Sequence, residues 1–141
     1  MQLSRIYVKI MIYLAMQTLE LLSDKKLKLT PARKELLDIF LDANKPLSYE
    51  NLKHMLSMDK ATFYRNMSKF EEESIVHTFE SNDKKRYYEL QTQAHSHFLC
   101  NLCNSIECIK PMNKIELPDY IVEDIIYKGI CKNCNKKKKI V

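Results

Sequence analysis

Asp59-Lys60-Ala61-Thr62-Phe63-Tyr64-Arg65-Asn66-Met67 is patterned as a helix whose two faces carry different chemistry. Phe63 and Met67, continued by Phe70, recur at i, i+4 and i+7, while Arg65, Asn66 and Lys69 fall on other faces. The spacing predicts a helix from about Lys60 to Glu72, after a turn at Ser57-Met58-Asp59. Upstream, Thr30 is an N-cap and Pro31 sits where its missing N–H costs nothing. They open a helix over Ala32 to Ala43 that puts Leu36, Leu37, Phe40 and Leu41 on one side. Asn44-Lys45-Pro46 breaks it, and Ser48 caps a short helix carrying Leu52, Met55 and Leu56. Three short helices with a tight turn between the last two predict a helix-turn-helix. Downstream, β-rich runs at Ile75 to Glu80 and Lys84 to Leu90 flank Ser81-Asn82-Asp83, which has hairpin turn chemistry. A helix-turn-helix followed by a hairpin is the order of a winged helix.

The remaining third has strand-like runs at His97 to Leu99, Ile106 to Lys110 and Ile125 to Ile130, with a proline-flanked stretch from Lys114 to Tyr120. It also holds all five cysteines: Cys100-Asn101-Leu102-Cys103, a lone Cys108, and Cys131-Lys132-Asn133-Cys134. Two Cys-x2-Cys pairs supply the four thiolates that tetrahedral zinc requires, so an odd count in this arrangement fits a metal site better than a disulfide framework. Buried small hydrophobes or a redox dithiol are the weaker alternatives. Lys136 to Lys139 reads as a solvated tail, with weak phosphate attraction as the other reading.

Composition narrows the function. At 141 residues the chain is about one to one and a half domains, which excludes a large multidomain enzyme. The balance of 23 basic against 18 acidic residues, +5 in all, is too modest for a uniformly basic scaffold. With Gly129 as its only glycine the chain cannot build a Gly-rich phosphate loop or dinucleotide fingerprint. No Ser/His/Asp arrangement is evident, so an enzyme acting on a small organic substrate is not expected. The apolar run Ile10 to Met16 is far short of the ~20 residues of a membrane span, and no signal-peptide pattern is convincing. The reading is a cytoplasmic protein. Residues 1–18 read as an N-terminal extension, with Met16 an alternative start.

In this order the elements resemble the ferric uptake regulator (Fur) family of bacterial metal-responsive repressors. The resemblance is carried by Lys28-Leu29-Thr30-Pro31-Ala32-Arg33, Asp59 to Met67, Ser74-Ile75-Val76, Arg86-Tyr87-Tyr88-Glu89-Leu90, His95 to Cys103, and Gly129 to Cys134. It spans about residues 19 to 135, and the ordered combination is highly specific. It implies an α+β fold: a winged helix-turn-helix DNA-binding domain over 19–90, then a shortened α/β dimerisation domain over 91–141 with a four-cysteine zinc site. The partners implied are double-stranded operator DNA and a second copy of the chain, with no membrane.

Arg65 can make two hydrogen bonds to a guanine edge, and Tyr64 can touch a thymine methyl or a phosphate. Lys60, Thr62 and Asn66 are placed for phosphate or base contacts, and Lys28 matches a lysine that reaches the minor groove in the family. Cys100, Cys103, Cys131 and Cys134 match the structural zinc ligands. For a second, regulatory divalent metal (Fe2+, Zn2+, Mn2+ or Ni2+) the matching positions hold Glu89, His95 and His97. Strand alternation lets His95 and His97 face one ion.

Two departures matter. A further carboxylate position is occupied by Cys108, with Glu107 beside it, and the family's interdomain histidine position holds Lys45. A thiolate beside imidazoles softens the site, away from ferrous iron and toward zinc, cobalt, nickel or reduced copper. His54, His77 and Glu50 are the substitutes available from the first domain. Only 27 residues separate Cys103 from Cys131, about ten fewer than the resemblance leads one to expect. The function implied is a metal-dependent, sequence-specific transcription regulator, most simply a repressor. A peroxide- or thiol-sensing regulator, with Cys108 as the reactive group, and a zinc-ribbon adaptor are the alternatives.

Overall fold

The computed structural model describes residues 27–43, 45–91, 96–110 and 116–139, with isolated positions before residue 27. The N-terminal extension lies largely outside these residues, as does His95. The chain divides into two units, residues 1–79 with 87–91 and residues 80–86 with 92–141.

In the first unit the order is α1 (Pro31–Ala43), β1 (Leu47–Ser48), α2 (Tyr49–Leu52), α3 (Lys60–Glu72), β2 (Val76–Glu80) and β3 (Arg86–Leu90), the last two running into a turn counted with the second unit. The three strands form one sheet in the order β1-β3-β2, with Leu47 opposite Tyr88 and Ser48 opposite Tyr87. This is a winged helix. Its core gathers Leu36, Leu37 and Phe40 from α1, Phe63, Met67 and Phe70 from α3, and Val76 and Tyr88 from the sheet. The sequence stripes on α1 and α3 are thus their buried faces, and each large side chain removed from water contributes about 1.5–3 kcal/mol.

The polar ends of these helices are held locally. Ser48 and Asn51 form a reciprocal capping box on α2, and Asp59 caps α3 by accepting the Thr62 N–H at 2.7 Å. The Ser57 N–H in the helix-turn-helix turn donates to Glu35 of α1 at 2.8 Å. At the far end of α3, Ile75 N bonds Phe70 O at 2.8 Å and Ser74 N bonds Glu71 O at 3.0 Å, a complete Schellman closure. Its left-handed position is Ser74, with φ 56°. Two expectations need correction. α2 ends at Leu52, so Met55 lies beyond it and is exposed. The two-residue strand β1 was not anticipated, because two residues have no readable alternation.

The second unit holds a three-stranded sheet, β4 (Ser96–Cys100), β5 (Ile106–Ile109) and β6 (Ile126–Gly129), in the order β5-β4-β6. β4 is antiparallel to β5 and parallel to β6. All three match the expected strand-like runs. Residues 116–125 carry neither helix nor strand. The lysine-rich end, expected as a tail, forms α4 (Lys132–Lys139). Cys131 starts it, with the Asn135 N–H bonded to the Cys131 carbonyl at 2.9 Å, and lysines toward its C-terminus complement the helix dipole.

Candidate nucleic-acid interface and metal centre

α3 buries Phe63, Met67 and Phe70 completely, and its other face carries Lys60, Tyr64 and Arg65, all exposed. Tyr64 stands at the boundary. Its ring meets Phe63 edge-on at 5.2 Å between centroids and lies 5.5 Å from Tyr49, while 37% of the residue stays exposed. Tyr64 is therefore braced from below and open above, and both a packing role and a contact role fit it. The Lys60 ammonium sits 5.5 Å from the Tyr49 ring centroid and 6.0 Å from that of Tyr64, within cation–π range. Tyr49 was missed by the sequence reading, since an aromatic opening a four-residue helix carries no periodic signal.

Asp59 holds its carboxyl below the usual carboxylate value, first through the Thr62 side-chain and backbone hydrogen bonds, with Arg65 adding attraction. Lys28 is exposed in the segment before α1. Thr62 and Asn66 are half-buried, and the Asn66 amide donates to the Thr62 carbonyl at 2.9 Å. Of the substitutes for an interdomain ligand, His54 is exposed, His77 is half-buried in β2 and stacks 6.3 Å from Phe79, and Glu50 pairs with Lys53 at 2.6 Å.

The cysteine cluster is built where two parallel strands end together. Cys100 lies opposite Gly129 in the β4–β6 register, and Asn101 N donates to Gly129 O at 2.7 Å. The chain then turns on each side. A tight turn with Asn104 at φ 57° brings back Cys103, and the entry to α4 supplies Cys131 and, one turn later, Cys134. All four sulfurs lie within 4.8 Å of one another, with Cys103 and Cys131 at 3.8 Å. Sulfurs about 2.3 Å from a tetrahedral zinc are about 3.8 Å apart, so the spacing is that of a closed Zn–S4 centre.

The surroundings favour a thiolate at Cys100 and oppose one at Cys134. Cys100 Sγ accepts from Leu102 N at 3.4 Å and Cys131 N at 3.3 Å, and Cys131 Sγ accepts from Cys134 N at 3.5 Å. The Cys100 thiol is lowered to about 6, foremost by the Cys103 backbone and then that of Cys131. Cys134 is pushed up to about 12, first by its hydrogen bond with Cys131. Four crowded sulfurs resist holding four negative charges unless a dication sits among them, which is what a zinc-type donor set demands.

For the second metal the sheet separates two neighbours. Cys108 is directly opposite His97 and so shares its face, whereas Glu107 is opposite Phe98 on the other. His97 is 2% exposed, and its Nδ1 lies 4.0 Å from an oxygen of Asp124. Asp124 was missed because parallel pairing of β4 with β6, which brings His97 N to Ile125 O at 3.2 Å, leaves no local trace in sequence. Cys108 is exposed, which removes the reading of it as a buried core residue. Glu89 is buried on β3 in the first unit.

A winged helix with an open polar face on its third helix, together with a four-thiolate zinc-type centre, defines the class of DNA-binding transcription regulators that carry a structural metal. The sequence matches the ferric uptake regulator family over residues 24–130, and the chain belongs to that family of metal-responsive transcription regulators. It is 29% identical over 134 residues to the ferric uptake regulation protein of Neisseria meningitidis, covering 84% of this chain and 93% of that protein. It is 28% identical over 130 residues to the one from Staphylococcus epidermidis, with 84% and 94% covered. The ferric uptake regulator of Francisella tularensis, solved with iron, superimposes with a TM-score of 0.62 at 25% identity, covering 79% of this chain and 96% of that one. Among the described residues no helix is long and apolar enough to cross a membrane.

Proposed function

We propose that the protein is a homodimeric, cytoplasmic, metal-dependent repressor without enzymatic activity, in which α3 reads operator DNA from the major groove. The observation that carries the reading is the division of α3 into a fully buried apolar face and an open face bearing Lys60, Tyr64 and Arg65. Arg65 supplies the bidentate contact to guanine, Tyr64 an apolar edge or phosphate contact, Lys60 and Thr62 hold the backbone, and Lys28 reaches the minor groove. Cys100, Cys103, Cys131 and Cys134 hold a structural zinc, which would cross-link the ends of β4 and β6 to the start of α4. Such a closed site leaves no position for a substrate.

A second, regulatory divalent ion is assigned to His97 and Cys108, with His95 and Glu89 completing the set by resemblance. The face on which Glu107 stands argues against it as a ligand, and Asp124 is the better carboxylate neighbour of His97. Metal regulates only if it binds the DNA-competent conformation more tightly than the other. Exposure of Cys108 keeps a thiol-responsive variant of the same regulator as the second reading.

The test is DNA affinity against salt. If several phosphates are neutralised, log affinity falls steeply and linearly with log salt. A flat dependence contradicts a DNA-binding role and favours a zinc-ribbon adaptor.

A further inference from the structure

Arg33 occupies the first turn of α1, where its own N–H donates to the capping hydroxyl of Thr30 at 3.3 Å. Its side chain leaves the helix in two directions. Nε donates to Asn66 Oδ1 on α3 at 3.1 Å, and Nη1 donates to the Lys28 carbonyl at 2.8 Å. The other end of the Asn66 amide is taken by Thr62 O at 2.9 Å. One guanidinium therefore joins the segment before α1 to α3 across 33 residues of sequence. Asn66 has both ends of its amide engaged within the protein, and it is half-buried rather than displayed.

We propose that Arg33 is a positioning residue for DNA recognition: by bridging the Lys28 backbone to Asn66 it sets the distance between Lys28 and the Lys60–Arg65 face of α3. The proposal rests on the DNA-reading role given to α3 above. A planar fork is the side chain suited to this task, since Nε and Nη donors diverge at a fixed angle. A lysine ammonium at the same place is a single point on a flexible stem and cannot span the two acceptors with that geometry. Phosphate attraction tolerates small displacements, while hydrogen bonds to base edges do not. Loss of the bridge therefore removes sequence discrimination and leaves general DNA affinity in place. Asn66 acts through Arg33 and Thr62 rather than by touching bases.

The probe is the duplex that the wild-type protein enriches from a pool of random-sequence DNA, with an unselected duplex as reference. Arg33→Lys and Asn66→Ala, which break the bridge from opposite sides, are each expected to weaken binding to the selected duplex at least about tenfold. Affinity for the unselected duplex and the salt slope stay within about twofold of wild type. The double variant should be no worse than either single one, because the same bridge is already broken. Wild-type-like discrimination in Arg33→Lys would show that only its charge matters and overturn the proposal. So would wild-type-like discrimination in Asn66→Ala, or losses that multiply in the double variant. If the wild-type protein enriches no sequence, the DNA-reading role itself falls, and the bridge falls with it.

Discussion

Arg65 is the side chain on the open face of α3 best suited to reading a base edge. Arg65→Ala should cost about 1–3 kcal/mol on the preferred duplex and relax preference at one base pair, as competition binding with single-base variants would reveal. Equal losses on preferred and random DNA would demote Arg65 to a phosphate contact. Asp59 gives a pH signature. Its folded-state pKa lies below its unfolded value, so its capping of α3 is in force above the unfolded value and is lost as pH falls through the folded one. Asp59→Asn keeps a capping oxygen and removes the titration. Thermal unfolding followed downward through pH 4 should therefore fall less steeply in the variant than in the wild type, and parallel curves would contradict the assignment. Tyr64 and Arg65 could be singled out from sequence because they lie within one periodic stretch, whereas Asp59 read only as part of the turn before it. Arg33 stood out only as the end of the Lys28 to Arg33 stretch, and Asn66 read as a phosphate or base contact. Their bond joins positions far apart in sequence, which no local pattern reports.

Elements of helical period read well and paired elements read poorly. α3 runs from Lys60 to Glu72, as its stripe predicts, and its closure contains a cost. Ser74 adopts φ 56°, a left-handed conformation that disfavours any residue with a Cβ. Both Schellman hydrogen bonds are made regardless, anchored by Ile75, which is 1% exposed. Ser74→Gly should therefore stabilise the protein by about 1 kcal/mol, seen as a higher denaturant midpoint with an unchanged slope. A lower midpoint would mean that the serine hydroxyl contributes more than the backbone strain costs. Lys136 to Lys139, expected as a tail, is helical for a physical reason. A lysine run alone has no apolar face to pack, but here it is started by Cys131 inside the cysteine cluster, and lysine is an adequate helix former.

Over the whole molecule, the fold class and the cysteine cluster were written plainly in the sequence, because local periodicity and Cys-x2-Cys spacing are short-range signals. The parallel register of β4 and β6 was not. That register sets Cys100 beside Cys131 and Asp124 beside His97, a pairing that only the fold reveals. The same sheet puts Cys108 on the face of His97 and Glu107 on the opposite one, since neighbouring residues on β5 face opposite ways.

The central claim is that this regulator holds one structural metal and is switched by another. Metal content of the purified protein should be measured before and after mild chelation, with DNA affinity determined on the same samples. Two metals per subunit are expected, with loss of the weaker one lowering affinity for the selected duplex and its return restoring it. A single tightly held zinc, with DNA affinity indifferent to added metal, would contradict it.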